Sequence, residues 1–243
     1  MAFSAQEVDR YARQLVLREI GGPGQQRLRA ARVLIVGAGG LGAPAALYLA
    51  AAGVGRITLS DEDTVSLSNL QRQVLYAGAD VGRAKTAAAA ERLKGLNPHV
   101  AVEAAPAITV ANAAGLVAGH DLVLDGTDSF ETRLVVSDAC LAAGIPLVSG
   151  AIGRWTGQVG VFAGRPCYRC LVPEVPPDAE TCAAVGVVGA LAGVIGSMMA
   201  LEAVKLIVGA GQPLTGRLLI YDGLAGETRT VKVGPDPACP ACG

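Results

Sequence analysis

Arg32-Val33-Leu34-Ile35-Val36-Gly37-Ala38-Gly39-Gly40-Leu41-Gly42 decides the fold. A short β-branched run meets a glycine turn, and an Ala-rich stretch to about residue 52 continues as a helix. That order gives the spacing Gly37-x-Gly39-x-x-Gly42 its mechanism. The first glycine makes the tight turn and the second lets backbone approach a phosphate. The third permits close helix packing, and the amino end of the helix attracts the anion. Asp61 ends the next strand about 20 residues on, where a carboxylate can accept from ribose hydroxyls. The plainer alternative is that the glycines serve only a tight strand–helix corner, and the pairing with Asp61 argues against it.

Outward from that corner the pattern repeats. Strands are predicted over residues 56–59, 100–104, 121–124 and 146–149, with helices over 83–96, 110–118 and 130–143. Such alternation predicts an α/β, Rossmann-like, mostly parallel sheet with helices on both faces. After Gly150 the rhythm changes. Strands over 158–162, 217–221 and 228–233 flank a long apolar helix, and residues 173–180 carry three prolines and three acids of an exposed loop. These read as antiparallel strands extending the same sheet. One domain, 1–243, is expected, with a nucleotide-binding part over 1–150 and an antiparallel extension over 151–243.

Bulk composition narrows the class. The 243 residues are long enough to bury a sizeable core. Half are apolar, and 20 Lys+Arg against 21 Asp+Glu leave a formal charge of −1. No case for nucleic acid or an anionic membrane follows, so anion recognition must be local. The first 18 residues lack the apolar core and cleavage site of a signal peptide. Residues 183–201 carry no charge and come close to bilayer length, but they run into Glu202 and Lys205 in the same helical pattern. A buried core helix of a soluble, cytoplasmic protein is expected.

Several residues point to chemistry. Asn69, Gln71, Arg72 and Gln73 crowd one polar stretch, and Lys85 opens the next helix. Two cations and several amides beside a glycine turn suit a triphosphate and its metal better than the single pyrophosphate of NAD. Taken singly, Arg72 and Lys85 would be read as surface cations. Asp128, in Gly126-Thr127-Asp128-Ser129 at the carboxyl edge of the sheet, either holds Mg²⁺ or caps the following helix. Asp125 could equally be the capping or structural acid. Cys167-x-x-Cys170 and Cys239-x-x-Cys242 can supply four thiolates to a closed structural zinc site. Redox or disulfide pairs are the alternatives, disfavoured in a cytosolic chain. Cys140 reads as core and Cys182 as either a loop thiol or a nucleophile, while His99 and His120 read as structural.

Taken together the chain resembles the ThiF/MoeB/HesA family, relatives of the ubiquitin-activating enzymes. The resemblance rests on Arg10-Tyr11-Ala12-Arg13-Gln14, the glycine turn, Asp61-Glu62-Asp63 through Ser68-Asn69-Leu70-Gln71-Arg72-Gln73, and Lys85. Gly126-Thr127-Asp128, Cys-Tyr-Arg-Cys and the closing Cys-Pro-Ala-Cys complete it. It implies an adenylyltransferase that uses Mg-ATP to activate the C-terminal glycine carboxylate of a ubiquitin-like sulfur carrier ending in Gly-Gly, in the molybdopterin or the thiamine pathway. Gly37, Gly39, Gly40, Gly42, Asp61, Asp63, Asn69, Arg72, Gln73, Lys85 and Asp128 are the nucleotide-binding set it implies. Asp61 would hold ribose, Asn69, Arg72 and Lys85 the phosphates, and Asp128 magnesium. Arg13 would reach the ATP of the other subunit of a homodimer, Cys182 could link to the carrier, and the extension over 151–243 would carry the carrier-binding surface. Gly126 and Ser129 depart from the family's frequent Cys-Thr-Asp-Asn pattern, and no fused rhodanese domain is expected. Two other function classes compete: an NAD-dependent Rossmann-fold oxidoreductase and a non-catalytic zinc module that docks a partner.

Overall fold

A computed structural model describes residues 2–177 and 186–243. Eight strands form one sheet: β1 (Arg32–Val36), β2 (Arg56–Ser60), β3 (Ala101–Ala105), β4 (Leu122–Asp125), β5 (Leu147–Gly153), β6 (Thr156–Phe162), β7 (Arg217–Asp222) and β8 (Glu227–Lys232). Their spatial order is β3-β2-β1-β4-β5-β6-β7-β8. The first five run parallel, and β5 to β8 are antiparallel neighbours. The order turns back at β1, which places the switch point of the parallel half between β1 and β4, beside the glycine turn.

Alternation along the strands builds two cores. Val33, Ile35, Ile57, Leu59, Leu122 and Leu124 point to one face, under α3 (Gly21–Ala30), α4 (Gly42–Ala52), α5 (Lys85–Leu96) and α8 (Gly189–Val208). Leu34, Val36, Val123 and Leu147 point to the other, under α6 (Ala113–Ala118) and α7 (Phe130–Ala143). A strand buried on both sides reads as a continuous apolar run, which is how β1 and β4 appear in the sequence.

The long apolar helix behaves as expected. Among the described residues α8 alone is long and apolar enough to cross a membrane, and half of its apolar window is buried against the protein. It reaches the sheet through glycines: a Cβ on Gly150 would lie 2.3 Å from Met199 Sδ, and one on Gly157 2.3 Å from Ile195 Cγ1. Buried Glu202 accepts from Leu214 N at 2.8 Å and pairs with Lys205, so the helix's charges serve its own end.

Three differences from the sequence reading have local causes. The amino-terminal residues form α1 (Ala5–Arg10) and α2 (Ala12–Leu15), opened by a capping box in which Ser4 and Glu7 exchange hydrogen bonds. The helix expected over 110–118 starts at Ala113, because the Asn112 side chain accepts from Thr109 N and donates to Ala107 O, holding a turn. The strand expected over 146–149 runs to Gly153, since its second half pairs with β6.

Candidate functional site

At the carboxyl edge of the parallel strands a cleft encloses about 590 Å³, within the range of small-molecule sites. Its floor is the glycine turn. Gly37 has φ +85°, and a Cβ on Gly42 would lie 1.8 Å from Gly37 O, so both positions require glycine. The demand on Gly42 comes from closure of the turn itself, whereas helix packing was the reason anticipated. Gly39 and Gly40 line the cleft and Gly42 lies behind it. The amino end of α4 opens here, a favourable place for an anion.

Asp61 ties the turn to the next strand: its Oδ2 accepts from Ala38 N and its Oδ1 from Asp63 N, both at 2.8 Å. Each oxygen keeps a second lone pair for a ligand hydroxyl. Tyr76 donates its hydroxyl to Ala38 O at 2.7 Å, and burial pushes its pKa upward. The turn is thus held on both sides by groups outside it.

The long β2–α5 connection supplies the cations. Residues 63–65 pair with 82–85 in a small antiparallel clasp, with Val65 N donating to Arg83 O and Lys85 N to Asp63 O, each at 2.9 Å. Lys85 is the first residue of α5 and its side chain is only 6% exposed, with Nζ 2.8 Å from Asp63 Oδ2. A helix-surface cation it is not. Arg72 is half-buried beside Gly40 and donates to Ser68 O at 3.2 Å. Asn69 accepts from Ser66 N at 3.3 Å. Gln73 is buried with its Oε1 unpaired, and its Nε2 faces Gly39. All of these line the one cleft.

Across the cleft, the two readings of the acids separate. The cap of α7 is Ser129, whose Oγ accepts from Thr132 N at 3.2 Å. Asp128 is not the cap, and its side chain stands exposed in the cleft, where a hard cation could meet its oxygens. Asp125 is structural: fully buried, it accepts from the Thr127 amide at 3.0 Å and the Thr127 hydroxyl at 2.8 Å. Arg133, unnoticed in the sequence, also lines the cleft and pairs with Asp125 at 3.5 Å. Its signal was a cation in the first turns of a helix, where the dipole disfavours it. At 126 a Cβ would come within 3.0 Å of Gly42 N, which suits glycine there.

Arg13 is exposed on α2 and does not line the cleft. Its neighbour Tyr11 packs against Gly53, at the far end of α4. Cys182 lies outside the described residues. Cys140 is core: burial pushes its thiol up to about 12. His120 bonds Leu116 O and Thr58 Oγ1 at 2.7 Å each, a structural role.

The four remaining cysteines gather at the base of the extension, with all sulfurs within 4.8 Å of one another. Cys167–Cys239 and Cys170–Cys242 Sγ separations are 3.6 and 3.4 Å. A tetrahedral zinc with Zn–S of ~2.3 Å spaces its sulfurs about 3.8 Å apart, so the cluster fits that ion. Asp236 N donates to Cys170 Sγ at 3.4 Å, support of the kind thiolate ligands receive.

Comparison with known proteins agrees with this geometry. The ThiF family profile matches residues 11–241. The chain is 48% identical over 253 residues to the sulfur carrier protein adenylyltransferase of Thermus thermophilus, covering 100% of this chain and 93% of that protein. It is 48% identical over 244 residues to the molybdopterin-synthase adenylyltransferase of Escherichia coli, covering 99% and 98%. In fold, E. coli MccB bound to MccA-N7isoASN superposes with a TM-score of 0.85 at 22% identity, over 99% of this chain and 75% of that one. With a profile match along almost its whole length and relatives nearly half identical end to end, this chain belongs to the ThiF family.

Proposed function

We propose that this chain is an adenylyltransferase that uses ATP to activate the C-terminal carboxylate of a ubiquitin-like sulfur-carrier protein, giving the acyl-adenylate and pyrophosphate. The observation that carries this reading is the convergence of the glycine turn, Asp61, Arg72, Lys85 and Asp128 on one cleft. An oxidoreductase reading of the glycine turn has no use for that set, and the relatives named above are adenylyltransferases. The pyridine-nucleotide alternative is therefore set aside.

The chemistry follows from charge. A carboxylate attacks the α-phosphorus and the bond to the departing pyrophosphate breaks, with no proton to remove because the nucleophile is already ionised. Negative charge concentrates around phosphorus and the leaving group. Lys85, Arg72 and the amino end of α4 meet it in a cleft already organised before substrate arrives. Asp61 takes the ribose hydroxyls, and Asn69 and Gln73 contact the polyphosphate. Asp63 keeps Lys85 aimed into the cleft. Asp128 would hold Mg²⁺, which supplies charge neutralisation on the phosphate oxygens when bound. The four cysteines would hold zinc, which has no open position and serves the fold.

The extension supplies the docking surface. Across the sheet Ala151 pairs with Gln158, Gln158 with Ile220, and Ile220 with Arg229, a row that starts at the cleft wall and turns away from α8. The carrier tail would end in Gly-Gly and follow this row to the cleft. Arg13 serves a second copy in a homodimer. It sits beyond the far end of the 11-residue α4, about 16 Å of helix from the chain's own cleft. Exposed Tyr48 and Leu201 on α4 and α8 give a dimer apolar surface to bury. We place the enzyme in the cytoplasm, where ATP and reduced thiols are available.

The test is ATP–pyrophosphate exchange with molybdopterin-pathway and thiamine-pathway carriers. Exchange is expected with one carrier and not with its form lacking the terminal glycine. No exchange with any Gly-Gly carrier, in a protein that binds Mg-ATP, would remove the proposed substrate.

A further inference from the structure

Ala38, between the first two glycines of the turn, is buried, and both of its backbone polar groups are taken by side chains from outside the turn. Its N–H donates to Asp61 Oδ2 at 2.8 Å, and its carbonyl accepts the Tyr76 hydroxyl at 2.7 Å. A carbonyl only accepts, so Tyr76 is the donor and must keep its proton. Burial, which pushes its pKa upward, favours that protonated form.

Tyr76 reaches the turn from the β2–α5 connection. Its amide donates to Gln73 O at 3.1 Å, closing a tight turn of the connection. The two ends of that turn meet two consecutive residues of the glycine corner. Tyr76 bonds Ala38, and a Cβ on Gly39 would lie 3.5 Å from Gln73 Nε2. Tyr76 itself is buried and does not line the cleft, whereas Gly39 and Gln73 do.

The peptide joining Ala38 to Gly39 is planar and trans, so its C=O and N–H point in opposite directions. Its oxygen faces the buried hydroxyl, and its N–H therefore faces the other way, towards the cleft that Gly39 lines. We propose that Tyr76 is a positioning residue for phosphate binding: by holding Ala38 O it presents the Gly39 amide to the polyphosphate. This rests on the reading of the cleft as an ATP site. A backbone donor serves an anion best when it is aimed before the anion arrives. Without the hydroxyl, Ala38 O is buried with no donor, and the peptide plane gains by turning towards another one, which carries the Gly39 N–H off line. Asp61 holds only the preceding peptide, through Ala38 N, and does not replace the lost bond.

Calorimetric titration with ATP, inorganic triphosphate and adenosine, each with magnesium, compares the full chain with Tyr76→Phe, which keeps the ring. Both triphosphates should bind the variant about tenfold more weakly, while adenosine affinity stays unchanged. In the parent, the NMR signal of the Gly39 amide proton should move downfield with inorganic triphosphate and stay in place with adenosine. Equal triphosphate affinity of variant and parent overturns the inference and leaves adenylation standing. Parallel losses of adenosine affinity, triphosphate affinity and melting temperature also overturn it, because they make Tyr76 only structural. A Gly39 amide signal unmoved in the triphosphate-bound parent overturns it whether or not the variant folds. A parent protein that binds no ATP overturns both readings.

Discussion

Replacing Lys85 by Met separates a role in chemistry from a role in folding. The Lys85 side chain is 6% exposed and its Nζ has Asp63 Oδ2 at 2.8 Å, but the Asp63 side chain is 68% exposed. Removing the ammonium therefore strands no buried charge, since Asp63 rehydrates where it stands. A methionine of similar length refills the space of the lysine stem, and pairs with one partner in water contribute about 0–1 kcal/mol. At this chain length that corresponds to a melting shift of at most about 2–4 °C. Loss of a preorganised donor aimed at charge that develops in the transition state is a different matter, worth about 2.7–4 kcal/mol or 10²–10³ in rate. The assay pairs ATP–pyrophosphate exchange with scanning calorimetry on the same preparation. The expected result is a fall in exchange of two to three powers of ten (~10²–10³) with almost no thermal change. Exchange within a factor of about two of the parent would refute the role of Lys85. So would a loss of activity that simply tracked a large fall in melting temperature.

Three other outcomes follow from the same geometry. Asp125→Ala removes the fully buried acceptor of the Thr127 amide and hydroxyl together with one ion-pair partner of Arg133, and should cost about 3–5 kcal/mol, read as a melting temperature lower by about 10 °C. Gly42→Ala places a Cβ 1.8 Å from Gly37 O, so the turn must open, and ATP affinity measured by calorimetry should fall along with about 1–3 kcal/mol of stability. Arg229→Glu reverses charge in the row leading from the cleft and should raise the carrier KM several-fold in exchange assays while ATP affinity stays unchanged.

Local grammar made much of the fold legible. The run before Gly37, the punctuation at Gly53 and Gly55 and the carboxylate at Asp61 are features of neighbours, and neighbours carry secondary structure. The cysteine pairs were legible for the same reason: each carries its own spacing, and only their meeting needed the structure. Two kinds of feature escaped. Ser4 and Glu7 form a capping box that the sequence does display, but the following helices are short, and α3 opens with Gly-Gly-Pro-Gly, which propensity rejects. That helix survives because it packs on α8, with a Cβ at Gly24 reaching Val208 at 3.6 Å. The second kind is burial of charge. Lys85, Asp125 and Arg133 look like surface residues one at a time, yet each also has a partner far along the chain, at 22, 24 and 17 residues respectively. Tertiary pairing decided their roles. The cap at Ser129, one position beyond Asp128, likewise turned on a hydrogen bond that spacing alone leaves open.

β5 belongs to both halves of the sheet, parallel to β4 over Leu147–Ser149 and antiparallel to β6 over its whole length. No hinge separates the cleft from the proposed docking row, so the distance between them is stamped in by backbone hydrogen bonds. From Ala151 to Arg229 the row crosses three strand spacings, about 14 Å, which an extended tail covers in about four residues. The enzyme then acts as a ruler. On the proposed docking, a carrier whose free tail is one residue short leaves its carboxylate about 3.4 Å short of its attack position, however well its globular part is held.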